Sequence, residues 1–134
     1  MPRPVKLNQN RDFVRLYRRG KSQVHPLLVT YCQKNRQGTL RWGITATKKV
    51  GGAVQRNRAK RLIREAFRQL EPQLAPGWDL VFVARTRTAT SRVRMQQVHR
   101  AMEQQLAQLG LLTQAPQPPQ AQAAPQPPGR DRQP

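Results

Sequence analysis

The run from Lys48 to Arg68, KKVGGAVQRNRAKRLIREAFR, contains the most strongly patterned segment of the chain. Ala59, Leu62, Ile63, Ala66 and Phe67, with Leu70 just beyond, recur at i, i+3, i+4, i+7, i+8 and i+11. That spacing predicts an amphipathic helix over Ala53–Leu70 with one face in a core. Asn57, Lys60, Arg61, Arg64 and Arg68 fall in the opposite sector, because steps of three, four and seven residues keep side chains on one side of a helix. Arg56 and Arg58 stand in the first turn, where unpaired amides and the positive end of the dipole favour an anion. Lys48 and Lys49 precede them. A merely solvated charged face usually interleaves Glu with Lys, whereas this run has Glu65 alone among its cations, so it reads as an anion-binding ridge. The pair Gly51-Gly52 suits either a phosphate cradle or a tight strand-to-helix turn, since both need glycine's permissive dihedrals.

Outward from this helix, Pro72 and Pro76-Gly77 break the chain, and WDLVFVA from Trp78 to Ala84 is apolar without alternation. It reads as a central strand buried on both faces. Ser91 to Gly110 supplies a last helix with Met95, Val98, Met102, Leu106 and Leu109 on its inner stripe. On the other side, Leu40, Trp42, Ile44 and Ala46 alternate with Arg41, Gly43 and Thr45, the period of a strand with one buried face. Residues Ser22 to Gln33 read as a strand broken at Pro26, joined to the next by the turn KNRQGT as an antiparallel hairpin. A short helix from Asn8 to Arg19, capped at Asn8 or Asn10 and stopped at Gly20, carries Phe13, Leu16 and Tyr17. The expected fold is α+β: a small four-stranded sheet packed with three helices, in the order α-β-β-β-α-β-α. One domain over 1–112 accounts for it, and residues 113–134, rich in Pro, Gln and Ala, are expected to be a disordered tail.

The charge balance narrows the function. Among 134 residues, 25 Lys plus Arg face 6 Asp plus Glu, a formal charge of +19, and 19 of the cations are Arg. Arginine's planar fork makes bidentate bonds to phosphate, so nucleic acid is the leading partner. No stretch approaches the ~18 consecutive apolar residues of a membrane span. The start MPRPVKLNQN lacks the apolar core of a signal peptide, so a cytoplasmic protein without membrane contact is expected. Cys32, the single cysteine, excludes an internal disulfide and reads as a buried small hydrophobe. The acids Asp12, Glu65, Glu71, Asp79, Glu103 and Asp131 are scattered along the sequence, and His25 and His99 read as surface residues. No catalytic constellation and no metal-ligand spacing emerges, so any reaction would draw its catalytic centre from a partner.

The same run, Lys48 to Arg68, closely resembles the signature of the bacterial ribonuclease P protein subunit, with its Arg-Asn-Arg helix. LNQNRDFVRLYRRGKS is similar to that family's first helix, WGITATKKVG to its central strand and turn, and WDLVFVAR to its last strand, covering about residues 6 to 110. The resemblance implies a subunit that binds a catalytic RNA and removes the 5′ leader of precursor transfer RNA. Mg2+ would be held by the RNA partner and the substrate, with no obligate protein partner, and the crossover through the basic helix would be left-handed. It further implies that Arg56, Asn57, Arg58, Lys60, Arg61 and Arg64 contact RNA and that Phe13, Tyr17 and Tyr31 line a cleft for the single-stranded leader. Stacking of aromatics on unpaired bases fits that role. On spacing alone, Phe13 and Tyr17, with Leu16 between them, read first as core residues of a helix packed on the sheet, and the resemblance reverses that preference. A ribosomal or RNA-chaperone protein without a part in cleavage is the alternative function.

Overall fold

The computed structural model describes residues 4–90 and 92–113. The elements run β1 (Val5–Lys6), α1 (Asn10–Arg19), β2 (Lys21–Val24), β3 (Leu28–Lys34), β4 (Arg41–Thr45), α2 (Ala53–Leu70), β5 (Trp78–Ala84) and α3 (Met95–Gln108), with short 3-10 turns at Lys48–Val50, Glu71–Gln73 and Thr86–Ala89. The expected α+β class and three helices are present. The tail expected to be disordered lies outside the described residues from 114 onward.

Two expectations for the sheet are corrected. Among the described residues it has five strands, not four, in the order β1-β4-β5-β3-β2. The extra strand, β1, is two residues paired in parallel with β4, too short to leave a periodic signal. Nor do β3 and β4 form a hairpin: β5 lies between them, antiparallel to β3 and parallel to β4. The physical reason is in β5 itself. Leu80, Val81 and Phe82 are all fully buried, which requires cover on both faces and a neighbour on both edges. The Asn35–Leu40 loop carries the chain across the start of β5. Asn35 N–H donates to Gly77 O at 2.8 Å, and its side-chain amide donates to Thr39 O at 3.0 Å and to Asp79 at 2.8 Å.

Helices α2 and α3 cover one face of the sheet. Ala59, Ile63, Ala66, Phe67 and Leu70 of α2 and Val98, Met102 and Leu106 of α3 are buried against Leu28, Cys32, Leu80 and Phe82. Phe67 sits between Trp42 and Phe82, with ring centroids at 5.0 and 5.5 Å. Leu62, Met95 and Leu109, placed on inner stripes by spacing, are only partly buried at the margin of this core. A polar residue occupies the place beside them. Gln105 accepts from Thr30 Oγ1 at 2.7 Å and donates to Gln23 O and Leu28 O at 2.9 and 3.0 Å, tying α3 to the strand pair that breaks at Pro26.

Helix α1 covers part of the other face, burying Leu16 with Leu7 and Val81. Its N-cap is Gln9, not Asn8 or Asn10, and no side chain caps it. At its far end Gly20 allows the chain to turn into β2, since a Cβ there would lie 2.6 Å from Leu16 O and 2.8 Å from Cys32 O. Helix α3 begins at Met95 rather than Ser91, with Arg94 N–H donating to Gln97 Oε1 at 2.8 Å.

Candidate nucleic-acid interface

Helix α2 presents the predicted ridge. Asn57, Arg61 and Arg68 are exposed, Lys60 and Arg64 half-buried, and Lys48 and Lys49 exposed in the 3-10 turn ahead of the helix. Gly52 is the N-cap and no side chain caps the first turn. Uncapped amides at a helix start are free to meet an anion. Arg56 stays local, its Nε 3.5 Å from Gly52 O. Arg58 is drawn inward: its Nη2 donates to Val93 O at 3.1 Å and holds the segment that leads into α3. Gly51 has φ 143°, and a Cβ on it would meet Gln55 Cβ at 2.9 Å, so the glycine pair serves the tight turn.

On the sheet face that α1 leaves open, Tyr17 and Tyr31 meet edge to face, with centroids 5.0 Å apart and planes at 69°. Tyr17 is 42% exposed, and its hydroxyl lies 3.4 Å from Thr45 Oγ1. Phe13 is half-buried and wedged over β4, where a Cβ at Gly43 would come 2.7 Å from its ring. Glycine at 43 is therefore required by the close approach of α1 to the sheet. Tyr31, Val29, Val83, Thr47 and Lys49 line an open groove beside this aromatic pair. The groove thus ends at the same Lys48–Val50 turn from which the basic helix starts.

The acids that look scattered in sequence are partly gathered. Asp79, with a side chain 1% exposed, receives Arg41 Nε at 2.8 Å and Nη2 at 2.7 Å, and Arg15 Nη2 at 2.8 Å; Asp12 lies 3.1 Å from Arg15 and 3.8 Å from Arg41. Burial pushes the Asp79 carboxyl up, but the hydrogen bonds of Arg41 and Asn35 and the charges of Arg41 and Arg15 outweigh it and leave the group below the ordinary carboxylate range. Arg41 holds its proton more firmly than usual, through its hydrogen bond to Asp79 working against burial. Sequence spacing gave no sign of this network, because its members come from α1, the β3–β4 loop, β4 and β5.

Cys32 is buried, and burial pushes its thiol up, as suits an inert core residue. His25 is half-buried, with its Nδ1 accepting the Leu27 N–H at 3.0 Å, and burial lowers its pKa. His99 is half-buried on α3. Among the described residues no three His, Cys, Asp or Glu side chains gather as metal ligands, and no helix is long and apolar enough to cross a membrane.

Fold and site together define a small, strongly basic α+β protein of the RNA-binding class, with a cationic helix set beside an aromatic groove. Residues 1–110 match the family model described as Ribonuclease P. The chain is 49% identical over 81 residues to the ribonuclease P protein component of Clostridium botulinum (strain Loch Maree / Type A3), covering 60% of this chain and 73% of that one. It is 42% identical over 106 residues to that of Herpetosiphon aurantiacus, covering 78% and 86%. The solved structure of the Staphylococcus aureus RNase P protein superposes with a TM-score of 0.69 at 29% identity, over 81% of this chain and 97% of that one. The chain belongs to the ribonuclease P protein family, and its function is that of the protein component in transfer-RNA 5′ processing.

Proposed function

We propose that this chain grips the catalytic RNA of ribonuclease P through the α2 ridge and the 5′ leader of precursor transfer RNA through the groove lined by Tyr31, with Tyr17 and Phe13 beside it. The observation that carries this reading is the meeting of ridge and groove at Lys48–Val50. A structured RNA on α2 and a single strand on the sheet would then be held side by side. The ridge supplies fixed cations for phosphates, and the aromatics supply stacking surface for unpaired bases.

In this reading the catalytic centre lies on the RNA partner. Asp12 and Asp79, the acids brought together, are taken up by Arg15 and Arg41, which supports a reading in which Mg2+ is held by the RNA and the substrate. The chain contributes binding and charge, works in the cytoplasm without an obligate protein partner, and has the left-handed α2 crossover that the family resemblance implies. Adding the protein to a self-cleaving ribonuclease P RNA should raise turnover of precursor transfer RNA at low magnesium. Binding of both RNAs with no gain in turnover would instead favour an RNA chaperone.

A further inference from the structure

The groove beside Tyr31 does not end at the edge of the sheet. Val24, Arg85 and Thr86 line both it and a second groove of about 600 Å³, which continues past Pro26, Arg87 and Thr90 at the corner between β2 and β3. In the β2–β3 ladder Ser22 pairs with Tyr31 and Val24 with Val29. Val24 therefore shares the face of Tyr31 and Val29 and lies two residues along, roughly 7 Å at the usual strand rise.

The walls of the second groove are tied to each other. The Thr88 hydroxyl donates to Leu27 O, Arg85 Nη1 donates to His25 O at 3.4 Å, and Leu27 N–H donates to His25 Nδ1 at 3.0 Å. The Pro26 corner and the Thr86–Ala89 turn are thus held in place before any ligand arrives. Their surface is mixed in the way an unpaired nucleotide requires. Val24 is 67% exposed and Pro26 is exposed, which gives apolar contact for sugar and base, while Arg85 and Arg87 are exposed cations. No Asp or Glu occurs from residue 80 to 102, so phosphate meets no opposing charge from this segment.

We propose that this second groove is the exit track for the distal nucleotides of the single-stranded leader, with Arg87 on a phosphate and Val24 and Pro26 against the sugar and base. The inference rests on the leader reading of the Tyr31 groove. Its continuity with that groove means the same strand, and not a second molecule, reaches the corner.

The test uses holoenzyme reconstituted with ribonuclease P RNA and precursors whose leaders lengthen one nucleotide at a time. With the wild-type protein, affinity should rise with leader length and then level off. Arg87→Ala, which touches only the second groove, should match wild type on short leaders, level off earlier, and bind long leaders roughly three- to tenfold more weakly. For Arg87→Ala the log-affinity against log-salt slope should become shallower by about 0.7 on long leaders only, with Arg87→Lys restoring it. An Arg87→Ala variant indistinguishable from wild type at every length overturns the proposal. So does an equal loss at every length and on mature transfer RNA, which would give the groove to the catalytic RNA. Wild-type affinity independent of leader length would instead remove the leader reading of the Tyr31 groove itself.

Discussion

Arg41 and Asp79 face each other across the parallel β4–β5 pair, and the guanidinium closes on both carboxylate oxygens, Nε at 2.8 Å from Oδ1 and Nη2 at 2.7 Å from Oδ2. Arg15 and Asn35 complete the shell at 2.8 Å each, so α1, the β3–β4 loop and both strands converge on one buried carboxylate. In a chain with so few acids, this carboxylate neutralises the end of the sheet where two arginines approach.

Asp79→Asn keeps the shape and removes the charge, leaving Asp12 as the remaining acidic partner of Arg15 and Arg41. The loss in denaturant unfolding should fall below the ~3 to 5 kcal/mol of a fully buried, unpaired charge, because Asp12 remains and Arg15 is partly exposed. The folded-state pKa of Asp79 is depressed, so its contribution is complete above the unfolded value of about 3.9 and is lost as pH falls through the folded value. Wild-type melting temperature should therefore drop on acidification below about pH 4, and the Asn variant should show a smaller drop over that window.

Replacing Gln105 by Leu strands the buried Thr30 hydroxyl and removes one donor from the carbonyls of Gln23 and Leu28, the latter keeping the His25 N–H at 3.0 Å. About 1 to 3 kcal/mol of stability should be lost for a buried polar group left unpaired. Hydrogen exchange should quicken first at the β2–β3 corner.

Arg61→Ala with Arg64→Ala should leave the melting temperature unchanged, because both side chains point away from Ile63, Ala66 and Phe67 and Ala is a good helix former. Binding to ribonuclease P RNA should weaken, and each lost phosphate contact should flatten the salt slope by about 0.7 to 0.9. Unchanged affinity and slope would take the ridge out of the interface.

Tyr17→Ala and Phe13→Ala should part company. Tyr17 is exposed, so its loss should weaken precursor binding by about 1 to 3 kcal/mol while mature transfer RNA binds as before. Phe13 packs against Leu7, Leu16 and Val81, so its loss should also lower the melting temperature, with a stability cost below the roughly 3 to 5 kcal/mol of a fully buried phenylalanine.

Sulfate should stabilise the free protein, since self-repulsion at +19 is relieved by anions that bind the folded state. At tenfold excess over its dissociation constant the gain is about 1.4 kcal/mol, read as a rise in melting temperature. A flat titration at constant ionic strength would show that no ordered anion site exists.

The basic helix, its span from Ala53 to Leu70, the buried strand Trp78–Ala84 and the break at Pro26 could all be read from the chain alone. Each is a local pattern: a period of 3.6, a run of apolar residues, a missing backbone donor. The strand order could not be read this way. A short β3–β4 connection suggested a hairpin, but which strand takes the centre depends on which can be buried on both faces, a competition settled only when the whole sheet assembles. The same holds for Asp79 with Arg15 and Arg41, for Gln105 under β2 and β3, and for Phe13 over Gly43. These partners are 30 to 82 residues apart, and charge or polarity along the chain carries no record of distance in space. Sequence determined that the protein is a cationic α+β domain with a basic ridge along one helix; tertiary structure decided where the ridge meets the groove, because only packing sets one element beside another.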